Sequence, residues 1–195
     1  MHPIADLLNQ KKLEPVELER WLAARADRIR DRWLSEIVHR GGGWSDQVEA
    51  LTVEFFDLFL AMLPHGLGPY KEQVEPLWVQ AAQLFGTMAA QRGLAAGEVI
   101  EEFQGLRDAV IRFLYAEPPA EGPLRISLRD LLRVNRFIDR GVTQASVGHT
   151  DALFFALFQG GGVSDALTPV NVAEIRDQLA HIRDEFRQVE GALSR

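Results

Sequence analysis

Three carboxylates, Glu98, Glu101 and Glu102, crowd little more than one helical turn. Carboxylates at that spacing are part of what a di-metal helix needs; the rest is histidine from facing helices. No Glu-x-x-His partner is expected for them, so the three acids read as a solvated helix face rather than a metal site. The five histidines fare little better as catalytic groups. His2 is terminal, His39 falls at a helix end, and His65 sits in a Pro/Gly turn. His181 takes an exposed position and lacks the acidic neighbour and downstream proline of a phosphoacceptor. Only His149 lies on a packed stripe, where it is either structural or a ligand and pH-sensing group. Gly41–Gly43 and Gly160–Gly162 follow helices instead of opening them after strands, so neither is a phosphate loop. With no HExxH, EF-hand or supported Ser/His/Asp grouping, the chain is expected not to be an enzyme and to hold no catalytic, cofactor-binding or metal residues.

The aromatic residues are where a small ligand would sit. Trp33, Phe59, Trp78, Phe85 and Phe103 all fall on inward stripes, as do Phe55, Phe56, Met88 and Phe113. Such a set either encloses an apolar pocket or simply fills a core.

These side chains need helices to position them, and helical spacing runs through every apolar segment. In Arg92–Leu114 the stripe Val99, Phe103, Leu106, Val110, Phe113 puts one apolar face on an α-helix. Hairpin chemistry and sustained alternation are missing, so the fold class is all-α. Six helices are predicted: 16–38, 45–63, 70–91, 95–115, 127–159 and 171–193, with a start near Glu75 as the alternative for the third because of Pro76. The fifth carries a seam of small residues, Gly141, Ala145, Gly148 and Ala152, suited to a close helix crossing or to self-association. It ends in Leu153–Phe158, apolar all round, which belongs in the core or under a partner. The sixth has Val172, Ile175, Leu179, Ile182, Phe186, Val189 and Leu193 at unbroken heptad a and d positions. That seam suits a coiled-coil signalling helix, or a helix folded back on its own bundle. A homodimer is expected, with this helix contributing and the small-residue seam helping.

Composition bounds the rest. The net charge of −7 argues against a nucleic-acid partner. No cysteine is present, the N-terminal segment has no apolar signal core, and uncharged apolar runs are short. A soluble, cytoplasmic protein without a membrane span is expected.

The run Arg92–Leu114 is similar to RG-apolar-x-x-x-E-V-x-x-E-F/Y-x-x-L-R-x-x-I, with Val110 at the last position, and resembles the N-terminal domain of the RsbR/RsbRD co-antagonists. Arg28–Ile37 is similar to that family's first helix, and Leu131–Phe155 to its long last one; the resemblance spans roughly residues 18–158. It implies a globin-like, non-haem sensory domain at 1–160, followed by a signalling helix at 161–195. The implied function is non-enzymatic regulation in stress or sigma-factor signalling, relayed by helix repacking to an output domain or protein partner, without a cofactor. The alternative is a ligand- or haem-binding globin-like protein, which would need an axial histidine on the middle helices.

Overall fold

The computed structural model describes residues 14–38, 45–119, 126–158 and 167–193. Among them are seven helices: α1 (Pro15–Ala23), α2 (Ala26–Val38), α3 (Asp46–Leu67), α4 (Lys71–Gln91), α5 (Ala96–Ala116), α6 (Leu128–Phe158) and α7 (Pro169–Leu193). No strand occurs among the described residues, so the chain is all-α. The glycine breaks at 41–43 and 160–162, His2 and His39 lie outside those residues, as does the expected domain boundary at 160/161.

Local chemistry sets most helix ends. Ser45 caps α3 through a hydrogen bond from the Val48 N–H. Ser127 Oγ accepts the Asp130 N–H and donates to the Asp130 carboxylate, starting α6. Thr168 accepts the Asn171 N–H with Pro169 in the first helical position, so α7 begins two residues before the sequence pattern suggests. At α5, where Ala95 has no side chain to cap with, Glu98 reaches back to the Ala95 N–H at 2.7 Å.

Two expected boundaries are corrected, and of the two starts expected for α4, Tyr70 and Glu75, the later one falls. The first helix is two: the chain turns at Ala24–Arg25, where Arg25 N–H bonds to Leu22 O at 3.0 Å. The turn lets Trp21, Arg25 and Arg28 all reach Glu117 at the end of α5. Next, α3 does not stop at Pro64; it runs through Pro64, His65 and Gly66 to Leu67. A Cβ at Gly66 would lie 2.6 Å from Phe137 Cε1, so any larger residue there would have to displace that ring. Finally, α4 starts at Lys71 and carries Pro76 inside its second turn. Burial of neighbouring side chains outweighs the lost backbone bond in both proline cases.

One core joins all seven helices. Its centre is α3 and α4, with Phe55, Phe56, Phe59, Trp78 and Phe85 fully buried. By length and composition α3 is apolar enough to cross a bilayer, against the expectation that no run is; 67% of that window is buried inside the bundle.

Candidate functional site

The turn between α4 and α5 gathers more specific contacts than any local pattern requires. Arg92 and Glu102 form a bidentate pair at 3.3 and 3.0 Å, with side chains only 5% and 9% exposed. Glu102 is therefore not on a solvated face. Gly93 sits at φ +75°, where glycine is unstrained. Leu94 O accepts from His149 Nε2 at 2.7 Å, which fixes the ε tautomer of that buried ring. Trp33 Nε1 donates to Glu102 O at 2.6 Å. Thus α6 is tied to the turn at Leu94, α4 to α5 through Arg92 and Glu102, and α2 to α5 at Glu102, all within the Arg92–Leu114 stretch.

Next to this turn α4 and α6 approach backbone to backbone. They run alongside in the same sense, as the pairs Glu75–Arg140, Gln83–Gln144 and Thr87–Gly148 show. A Cβ at Gly148 would lie 2.7 Å from the Gln83 carbonyl carbon and closer still to its oxygen; one at Gly86 would meet Ala145 in the same way. The small-residue seam is thus filled inside the bundle, by α4, and is closed to self-association. At Gly141 a Cβ would lie 2.8 Å from Phe103 Cε1 and 2.9 Å from Trp78 Nε1.

The five aromatic candidates do come together, as a packed cluster. Phe59 lies 5.0 Å from Trp78, 5.8 Å from Phe85 and 5.2 Å from Phe103 between ring centroids, and Trp33 is 6.3 Å from both Phe59 and Phe103. Edge-to-face rings at these separations fill the space between them.

Histidine geometry bears on the haem alternative. His65, inside α3 rather than in a turn, stands between Glu19 at 2.7 Å and Glu190 at 3.3 Å. His149 spends its Nε2 on Leu94. Presenting His65 to an iron would require breaking its contacts, whereas the Nδ1 of His149 is buried without a hydrogen-bond partner among the described residues. His181 is exposed and paired with Glu185 at 3.2 Å. Against expectation the chain does carry one Glu-x-x-His, Glu36–His39; Glu36 is bonded to Arg32 at 2.8 Å, and His39 lies outside the described residues.

The heptad seam of α7 lies on its own bundle. Val172, Ile175, Leu179, Ile182 and Phe186 are buried, and Val189 is partly buried against the same core; the Leu193 side chain lies outside the described residues. Polar clasps border the seam: Arg176 and Arg183 both reach Glu54, and Glu190 reaches His65. Beneath the first half of α7 runs a groove of about 700 Å³ shared with α4 and α6, lined by Gln83, Thr87, Gln91, Asp151, Glu174 and His181 among others.

Two features escaped the sequence reading. Glu117 receives Trp21 Nε1 on its carbonyl at 2.7 Å, and Arg25 and Arg28 on its carboxylate. Hydrogen bonding from Arg28, with Arg25 adding to it, holds that carboxyl below the usual carboxylate range, and the Arg28 guanidinium is raised in turn. The other is a row of arginines, Arg129, Arg133, Arg136 and Arg140, at 4,3,4 spacing on α6. It was legible in the sequence, but a net charge of −7 hid it: a total says nothing of distribution.

Compared with protein-family models, with curated proteins and with solved structures, the chain matches none.

Proposed function

We propose that this is a non-enzymatic sensory or regulatory domain, akin to the RsbR/RsbRD N-terminal type, that relays a signal by repacking its last helix toward an output domain or partner. The observation that carries it is α7: a narrow apolar seam of five buried side chains on α3 and α4, beside a groove filled with amides and acids. A helix held by one stripe and a few exposed ion pairs opens more cheaply than the aromatic centre beneath it. The turn at Arg92–Leu94 supports the same reading, since a change there reaches α2, α5 and α6 together. Native-state hydrogen exchange tests it. Amides of α7 should exchange through an opening cheaper than global unfolding, and Ile182→Ala should cheapen that opening while leaving α3 to α5 unchanged. Exchange of α7 only with global unfolding would end the relay.

The homodimer belongs to the same proposal, with a different surface from the heptad seam. Beyond His149, α6 continues for nine residues, carrying Phe154, Phe155, Leu157 and Phe158 at 58 to 75% exposure. Each aromatic offers roughly 150–250 Å² when fully buried, so the tip presents about 500 Å², against about 800 Å² per partner in an ordinary stable interface. An identical tip on a second copy is apolar on several sides and complements this one. Sedimentation of Phe155→Asp/Phe158→Asp against the parent decides it: a dimer lost in the variant supports the proposal, and a monomeric parent removes it.

A further inference from the structure

The arginine row on α6 is not explained by the fold. Arg129, Arg133, Arg136 and Arg140 share a cleft with Lys71, the first residue of α4, over a floor of Gly66, Leu67 and Phe137. Five cations meet two carboxylates there. Glu75 pairs with Arg140 at 2.6 Å and Lys71 at 3.5 Å, while Asp130 lies 3.7 Å from Arg133. Arg129 and Arg136 are exposed and have no carboxylate partner among the described residues. Like charges at helical i,i+3 and i,i+4 spacing repel. Burial makes this more acute at Arg133, whose Nη1 is enclosed without a hydrogen-bond acceptor. A desolvated guanidinium donor is unfavourable unless something supplies an oxygen to it.

We propose that this cleft binds a small molecule carrying a chain of phosphates, held by Arg129, Arg133 and Arg136 with Lys71. Planar guanidinium forks suit phosphate oxygens, and a row of them spans more than one phosphate group. At about 630 Å³ the cleft has the size of a small-molecule site. Side-chain charge supplies the attraction. The positive end of α4 adds to it, and the negative end of α3, at Leu67, offsets that. A nucleic acid fits less well: it would run past a short basic row onto a surface of an acidic chain. Recognition stops at the phosphates, because the lining aromatic, Phe137, is buried under Gly66 and offers no open face for a base to stack on.

Titration calorimetry on the full chain, with inorganic triphosphate and with ATP, tests both parts. The two should bind at the same site with affinities within about threefold, since bare phosphate oxygens are the shared contact. Arg129→Ala/Arg136→Ala should weaken both by about tenfold or more while the circular dichroism is unchanged, because these two residues make no ion pair among the described residues. Arg187→Ala, on α7, should leave binding as it is. Three results would overturn the proposal: no saturable binding of triphosphate, binding that the double variant leaves unchanged, or binding of ATP without triphosphate. Displacement of triphosphate by an acidic peptide at lower concentration would likewise replace the small molecule with a protein partner.

Discussion

Replacing Gly148 by alanine puts one methyl group into the α4–α6 crossing. That methyl would start 2.7 Å from the carbonyl carbon of Gln83 and 2.9 Å from its Cα. Carbon atoms prefer about 3.5–4.0 Å, so the helices must part by roughly 1 Å. Both neighbours are backbone, so no side chain can rotate away. A gap of that size forfeits about a quarter to a half of each contact along the crossing, and overpacking of this kind costs about 1–3 kcal/mol. A backbone clash belongs at the upper end of that range. The Thr87 hydroxyl, 3.3 Å from Gly148 O, would lose its contact as well. Alanine's better helix propensity returns about 1 kcal/mol, leaving a net loss of about 2 kcal/mol. Gly97→Ala in α5 is the control, because nothing lies within 4 Å of the added carbon and only propensity acts. Gly97 is in the first turn, where interior propensity applies only in part, so the change should stabilise by a few tenths of a kcal/mol. Urea unfolding followed by tryptophan fluorescence reads both signs. If Gly148→Ala were as stable as Gly97→Ala, the helices would not be in backbone contact, and the account of the seam would fail.

Four further outcomes are expected. Phe103→Ala should cost about 3–5 kcal/mol in the same assay, as for other fully buried aromatics; a loss under about 1 kcal/mol would place the ring outside the core. Arg92→Met should cost about 3–5 kcal/mol because it removes the cation of a buried bidentate pair, and Arg92→Met/Glu102→Leu should recover much of that; additive losses would show that the two do not interact. Leu179→Ala should cost about 2–5 kcal/mol if α7 belongs to the core, and under about 0.5 kcal/mol if it is a free helix. Glu117 has a depressed carboxyl, so its contribution is present above the unfolded value of about 4.3 and is lost as pH falls through the folded one. Acid titration of stability should accordingly be shallower below pH of about 4.3 in Glu117→Gln, and identical acid limbs in the two proteins would contradict the Arg28 and Arg25 pairing.

Helix content was written in the sequence because a period of 3.6 is a local property. Val99, Phe103, Leu106 and Val110 declare a buried face from spacing alone, and all four are fully buried. Ser45 declares a cap in the same way. The aromatic set was legible as inward-facing, since alternatives on the other face would have exposed it. Local signals misled where a distant contact decided. Pro64 and Gly66 look like a turn, yet lie inside α3, where Phe137 of α6 packs into the space a Cβ at Gly66 would take. The heptad seam of α7 is equally good for a second copy or for its own bundle; only the placement of α3 and α4 assigns it. Glu102 looks solvated until Arg92 is brought beside it by a left-handed glycine. The arginine row shows the converse: its spacing was in the sequence, but its meaning required Lys71 from another helix to close the cleft. Periodicity fixes what a segment is, whereas partner choice depends on which surfaces the chain brings within a few ångströms, and that is decided only by the packed whole.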